Sequence, residues 1–548
     1  MIKNPILPGF HADPCICRKG DDYYLAVSSF EWFPGIPIYH SLDLNHWELY
    51  AHALQNADNP DLKKLPSAKG IWAPCLTYCA QDDLFYVVYG VMNSMSARYF
   101  DVDNFLITAK DPRGPWSEPV YLHSAGFDAS LFHDIDGRKY VVALQWETRA
   151  DFEKPGPICI AEYDPKAKQI IGLPKPFWRG GTNRGCIEAP HLTRHGDYYY
   201  IMCAEGGTGY YHSVTMGRSK CVWGPYERDP QNPILTSNPV EANERADWDH
   251  LKPRYFNPKV RLQKAGHASY VDLPTGETYL VCHTSRPFVP ELRCTLGRET
   301  SLQRMRWTAD GWLRLEGEGN LVQDAVKESA LPDCPLPRLP ARDDFEGSTL
   351  LPYWYAPRID PKSFASLSAR PGWLRLRGQE AGTSLNKVSI LARKLTAVYG
   401  QITVKMEFEP QSWLQTAGLI IYYDNMNFVY LHKTLDEKSG PVLALLQLEN
   451  GVKTEFSTLR QSVPEKGALL LRAVLKGRSL TFAYALEDGV FHDIAKNFDL
   501  SKLSDEYSKY GEFTGTFAGI SCSDRLLRRQ CADFDYAEFL MDEETEVN

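Results

Sequence analysis

A chain of 548 residues with 43% apolar and 24% charged side chains is too long for one ordinary core and too apolar for general disorder. Its 60 Lys and Arg against 69 Asp and Glu leave a formal charge of -9, which argues against nucleic acid or an anionic membrane as partner. The 30 Tyr, 24 Phe and 13 Trp are an aromatic excess suited both to strands and to stacking on ligand faces.

The chain begins with a stretch broken by Pro5 and Pro8, without an apolar run of signal-peptide length. Five similar units follow. Asp13-Pro14-Cys15-Ile16 leads through Gly20-Asp21-Asp22 to Tyr23-Tyr24-Leu25. Trp72-Ala73-Pro74-Cys75-Leu76 leads through Asp82-Asp83 to Phe85-Tyr86-Val87. Asp128-Ala129-Ser130-Leu131 leads through Asp136-Gly137 to Tyr140-Val141-Val142. Glu188-Ala189-Pro190-His191-Leu192 leads through Gly196-Asp197 to Tyr198-Tyr199-Tyr200. His267-Ala268-Ser269-Tyr270 leads through Thr275-Gly276 to Tyr279-Leu280-Val281. Each is a strand, a tight turn and an aromatic-aliphatic strand. Their spacing is roughly sixty residues until the last, where a polar insert at 242–257 adds Glu244, Asp247, Asp249 and His250. Five repeats of this kind predict a five-bladed β-propeller over residues 1–330.

Prolines at 332, 335, 337 and 340 then predict a stiff connector over 331–342. Beyond it, Val404, Met406 and Phe408 alternate with Lys405, Glu407 and Glu409, and strand-like runs recur near 419–423, 442–448, 469–474 and 480–485. Residues 343–548 thus read as a β-sandwich, and the whole chain as all-β. The apolar runs at 417–423 and 468–475 are too short to span a bilayer. The 13 cysteines include the close pairs Cys15/Cys17 and Cys75/Cys79 but no recurring C-x2-C. Buried thiols in a reducing cytoplasm are expected rather than a zinc or disulfide framework.

The repeats also predict a site. The first strand of each propeller blade lines the central channel, and aligning the units puts Asp13, Ala73 (with Trp72 beside it), Asp128, Glu188 and His267 at one position. Three carboxylates gathered there repel one another, which suits acid/base work or a bound cation. Phe30, Trp32, Phe33 and Trp72 nearby favour a sugar ring over a bare ion.

Several runs carry a specific resemblance. They are Gly9-Phe10-His11-Ala12-Asp13-Pro14, Ser29-Phe30-Glu31-Trp32-Phe33-Pro34-Gly35, Gly126-Phe127-Asp128-Ala129-Ser130, Glu188-Ala189-Pro190-His191 and Leu296-Gly297-Arg298-Glu299-Thr300. Together they resemble the β-xylosidase / α-L-arabinofuranosidase group of glycoside hydrolase family 43. The likeness extends through Asp343-Asp344-Phe345 to Asp533-Phe534-Asp535-Tyr536. It implies a five-bladed propeller followed by a concanavalin-A-like sandwich. It also implies an inverting reaction, with base and acid about 6.5–9.5 Å apart. Asp13 would be the general base, Glu188 the general acid, and Asp128 the group that raises the Glu188 pKa. Arg298 would bind sugar hydroxyls and tune the carboxylates. His267 matches a channel histidine that in some relatives contacts a divalent cation, often Ca2+, directly or through water. Otherwise no cofactor is implied.

A loop from the sandwich would place an aromatic ring against the substrate, and Phe513 is favoured over Phe517. The resemblance implies exo-acting release of D-xylose from β-1,4-xylooligosaccharides, with α-L-arabinofuranosidase activity beside it. The expected partners are xylooligosaccharides or arabinose-containing oligosaccharides, and a homo-oligomer, dimer or tetramer. The rivals are an enzyme mainly specific for α-L-arabinofuranosides, a non-catalytic carbohydrate-binding propeller, and an endo-acting enzyme with an open groove.

Overall fold

A computed structural model describes residues 1–152, 155–240, 255–337 and 339–547. Strands dominate it, and the helical elements among the described residues are short 3-10 turns such as Pro361–Ser363.

Each sequence repeat forms one antiparallel sheet. The first blade comprises Cys15–Lys19, Asp22–Ala26, Gly35–Ser41 and Glu48–Leu54. The second runs from Gly70–Cys79 to Val120–His123, and the third from Ser130–His133 to Gln169–Trp178. The fourth starts with Glu188–His195 and carries an extra short strand, Leu235–Thr236, against Ser213–Ser219. The fifth starts with Gln263–Asp272 and ends with Leu313–Leu315. The strand order within every blade follows the chain, as hairpin connections require. The N-terminal strand Ile2–Lys3 pairs with Ala325–Val326, which ties the start of the propeller to its end.

The described connector residues after Val326 form no strand until Arg342–Asp343, which joins the sandwich by pairing with Cys531–Met541. The sandwich has one sheet of eight strands and one of seven. Tyr399–Glu407 shows why its sequence alternates: Val404, Met406 and Phe408 are buried, and the intervening Lys405 and Glu407 are half-exposed. Gln415–Asp424 has no such alternation, because both its faces are covered. Leu419, Ile421 and Tyr423 enter the sandwich core, whereas Ile420 and Tyr422 pack with Phe10, Trp32 and Phe517 in a core shared with the propeller. The two domains therefore meet through buried apolar surface.

Two residues with an expected binding role belong to this junction instead. Trp32 stacks on Phe517 with ring centroids 3.7 Å apart, and Trp32–Phe33 pairs as a strand with Ala356–Pro357. Both residues contact the sandwich domain, and neither lines the cavity described below. The polar insert at 242–257 falls outside the described residues, apart from its last three.

Candidate active site

The blades converge on the channel through a repeated backbone distortion. Asp13, Ala73, Asp128, Ala189 and His267 all adopt left-handed φ, between 40° and 56°. For residues with a Cβ this conformation costs about 1–2 kcal/mol each, and such strain concentrates at functional sites. The five positions correct the repeat alignment in the fourth blade. Ala189, and not Glu188, is the equivalent of Asp13. Glu188 falls one residue earlier, in register with Trp72 and Phe127. The Ala-Pro pairs at 73–74 and 189–190 are the sequence signal for this offset. Members of both sets line one cavity, so the offset does not remove Glu188 from the site.

One cavity of about 250 Å³ brings the predicted residues together: Asp13, Asp128, Glu188, Phe30, Trp72, His267, Arg298 and Phe513 all line it. That volume lies below the roughly 300–1,000 Å³ of common ligand pockets. It suits a small ligand end rather than a long chain. Phe513 closes one side from the sandwich domain, edge-on to Trp72 at 5.9 Å. Phe517, the other aromatic of that loop, is fully buried in the domain junction. The loop is admitted by glycine. A Cβ on Gly297, whose φ is 75°, would sit 2.3 Å from the Thr514 carbonyl oxygen.

The cavity has a longer aromatic wall than the sequence suggested. Phe127, Phe100 and Trp146 continue it from Trp72, with Phe100 and Trp146 stacked at 3.8 Å. Phe127 was legible beside Asp128 in its motif; Phe100 near the start of Tyr99–Ala109 and Trp146 just past Lys139–Leu144 have no repeat to flag them. Truncating Phe513 to Ala is expected to raise KM for a disaccharide about fivefold, the equivalent of about 1 kcal/mol of aromatic contact. Steady-state kinetics would show it, and an unchanged KM would remove Phe513 from the binding wall.

The carboxylates are held in opposite states. Burial alone would raise the Asp13 pKa, but the Arg298 guanidinium, followed by His267 and His283, holds it well below the usual range. Arg298 Nη1 donates to Asp13 Oδ1 at 2.6 Å, and Ser28 Oγ donates to Oδ2 at 2.6 Å. Glu188 is pushed well above its ordinary value by burial first, then by the charges of Asp128 and Asp13. Burial and the Asp13 charge push Asp128 up to about 7, against a hydrogen bond of 3.0 Å from the Ala189 amide. One ionised and one protonated carboxyl in a shared pocket are what acid/base chemistry on a single bond requires.

Arg298 tunes a carboxylate, as expected, and also reaches the other domain. Nε and Nη2 donate to the Phe513 carbonyl oxygen at 3.3 and 3.0 Å, and Nη1 and Nη2 donate to Asp13. Four of its five N–H groups are thereby engaged by the protein. The arginine favours the ionised form of Asp13 and fastens the Phe513 loop, and one Nη1 N–H remains beyond these contacts.

His267 lies 3.5 Å from Asp13 Oδ1, and His283 lies 3.4 Å from the same oxygen. Burial lowers the His267 pKa to about 4 and that of His283 to about 3, so both rings are neutral near pH 7. Asp13, His267 and His283 are spaced like metal ligands. Their donors do not fit calcium, however. Ca2+ takes about 6–8 oxygens, whereas this group offers two imidazole nitrogens and a carboxylate already neutralised by Arg298.

Comparison with known proteins agrees with this geometry. Residues 2–313 match the family described as glycosyl hydrolases family 43, and residues 342–540 match the β-xylosidase C-terminal concanavalin A-like domain. A β-xylosidase of Bacillus subtilis is 39% identical, covering 98% of this chain and 99% of its own length. A non-reducing end α-L-arabinofuranosidase of Bacteroides ovatus is 34% identical over 98% of this chain and 94% of its own. The crystal structure of a xylan β-1,4-xylosidase from Bacillus halodurans superimposes with a TM-score of 0.93 at 40% identity, covering 98% of this chain and all of that one.

Proposed function

The chain belongs to glycosyl hydrolases family 43, and from that membership we propose that it is an exo-acting, inverting glycosidase. It removes D-xylose from the non-reducing end of β-1,4-xylooligosaccharides and also cleaves α-L-arabinofuranosides. The observation that carries this reading is the pair of opposed carboxyls, Asp13 held ionised and Glu188 held protonated, in one small aromatic-walled cavity.

The reaction follows from those states. Glu188 gives its proton to the glycosidic oxygen as the C–O bond breaks. Asp13 takes a proton from water as its oxygen bonds to the anomeric carbon from the opposite face. Product release leaves Asp13 protonated and Glu188 ionised, and solvent exchange restores both. No cofactor is needed for these steps. The Phe513 wall and the modest cavity support attack on a chain end. The names of the similar enzymes from Bacillus and Bacteroides support the two sugars. The compartment we propose is a reducing cytoplasm, in keeping with 13 cysteines that form no disulfide.

A side-by-side assay on aryl β-D-xyloside and aryl α-L-arabinofuranoside tests the reading, with NMR of the fresh product. Cleavage of the xyloside to α-xylose is expected. Failure to cleave either substrate, or initial formation of β-xylose, would overturn it.

A further inference from the structure

Two histidines outside the aligned repeats lie beneath the cavity. His212 follows Tyr210 and Tyr211 and opens onto the strand Ser213–Ser219, and His283 lies in Thr278–Ser285; both are fully buried. They connect the two reacting carboxyls. His283 Nδ1 is 3.4 Å from Asp13 Oδ1, His283 Nε2 is 2.7 Å from His212 Nδ1, and His212 Nε2 is 3.7 Å from Glu188 Oε1. Glu188 Oε1, His212 Nε2 and His283 Nδ1 are buried atoms that make no hydrogen bond of normal geometry. Buried polar atoms in that condition need an explanation; here Glu188 Oε1 and His212 Nε2 face each other, and His283 Nδ1 faces Asp13 Oδ1.

The line has a direction. A neutral imidazole carries one N–H and one acceptor nitrogen, and burial keeps both rings neutral. His212 Nδ1 lies 3.3 Å from the Lys264 carbonyl oxygen, which can only accept. The His212 proton is therefore on Nδ1. His283 Nε2, which shares that proton at 2.7 Å, is an acceptor, so the His283 proton is on Nδ1 and points at Asp13. At the far end His212 Nε2 presents a lone pair to Glu188. A lone pair repels a carboxylate and attracts a carboxylic O–H.

We propose that His212 and His283 form an imidazole pair of fixed polarity that couples the two reacting carboxyls, donating to Asp13 and accepting from Glu188, and so reserves the resting proton for the acid. The proposal rests on the acid/base reading given above. After turnover the pair is mismatched with ionised Glu188, so it favours proton return from water to Glu188 and proton loss from Asp13 to water. The 3.7 Å gap leaves the Glu188 O–H free to turn to the glycosidic oxygen when substrate enters, so the pair holds the proton at rest and does not compete for it in the reacting complex. The other groups acting on Glu188 are Asp128, Asp13 and Arg298; those acting on His212 are His283, His267 and Arg298. Gly266 seats the pair, since a Cβ there would lie 2.3 Å from His212 Nδ1. His212 and His283 are thus positioning residues, acting through the carboxyls.

The test separates this role from simple packing. Asn at 212 keeps a donor where Nδ1 was and loses the acceptor facing Glu188; Gln can put an acceptor back there. For an aryl xyloside with a poor leaving group, His212→Asn is expected to move the alkaline limb of kcat/KM to lower pH. On that limb kcat/KM should fall about tenfold, in line with one buried hydrogen bond. His212→Gln should recover part of the loss, and a dinitrophenyl xyloside should lose less. An unmoved alkaline limb, or equal loss on both substrates, would overturn the proposal. Independently of variant folding, 15N NMR of the wild-type imidazoles should show both rings protonated at Nδ1, and an Nε2–H form of His212 would overturn it. If the wild type cleaves neither aryl glycoside, the reaction assignment fails, while the NMR still decides the polarity of the pair.

Discussion

Replacing Asp13 by Asn is expected to lower kcat on xylobiose by about 10²- to 10⁴-fold, the usual contribution of a positioned general base, with the fold retained. Asn is the informative substitution because of what surrounds Asp13. Arg298 is almost fully buried and donates to both carboxylate oxygens. Asp13→Ala would leave that guanidinium without its counter-charge, and breaking a buried ion pair costs about 3–5 kcal/mol. Loss of activity in the Ala variant would then mix chemistry with instability and with release of the Phe513 loop, whose carbonyl Arg298 also holds. Asn removes the charge as well, but it keeps one acceptor oxygen for Arg298 and nearly the volume of Asp13, so it disturbs the Arg298 and Phe513 contacts less than Ala does. Substrate activation should not help, because water must still be deprotonated. Thermal melts beside kinetics on xylobiose and a dinitrophenyl xyloside check all of this. Near-normal turnover on xylobiose would remove Asp13 from the reaction.

The repeat made most of this site legible. Asp13, Asp128 and His267 were found because the same strand position recurs once per blade, and the structure gives those residues a common left-handed backbone. The alternation of Val404, Met406 and Phe408 likewise exposed a sandwich strand covered on one face. What escaped was whatever depends on contact between distant segments. Trp32 reads as a sugar platform beside Phe30, yet it stacks on Phe517, and nothing in the local run announces that partner. Arg298 reads as a sugar ligand that tunes the carboxylates, and its hold on a carbonyl from the other domain has no signal in the local run. His212 and His283 carry no repeat signal. His212 precedes its strand, His283 lies on the second strand of its blade, and only their meeting below the channel gives them a role.

Glu188→Gln is expected to lower turnover of xylobiose by about 10²- to 10⁴-fold but to retain far more activity on a dinitrophenyl xyloside. The difference is chemical. A sugar alkoxide leaves only if it is protonated as the bond breaks, whereas dinitrophenolate leaves without help. The contrast with Asp13→Asn fixes the two roles, and equal losses on both substrates would reverse or void them. The pH profile carries the same information. On the proposed assignment, activity needs Asp13 ionised and Glu188 protonated. Asp13 lies well below the ordinary carboxylate range, so the acid limb should fall at low pH. Glu188 lies well above its ordinary value, so the alkaline limb should fall above the usual range of a glutamate. Asp128→Asn removes a negative charge that opposes ionisation of Glu188, so that limb should move to lower pH. Because Asp128 and Glu188 interact strongly, the limbs report the pair rather than one residue. The direction of movement is nonetheless decisive. A shift to higher pH in Asp128→Asn would mean that the negative charge of Asp128 is not what keeps the proton on Glu188.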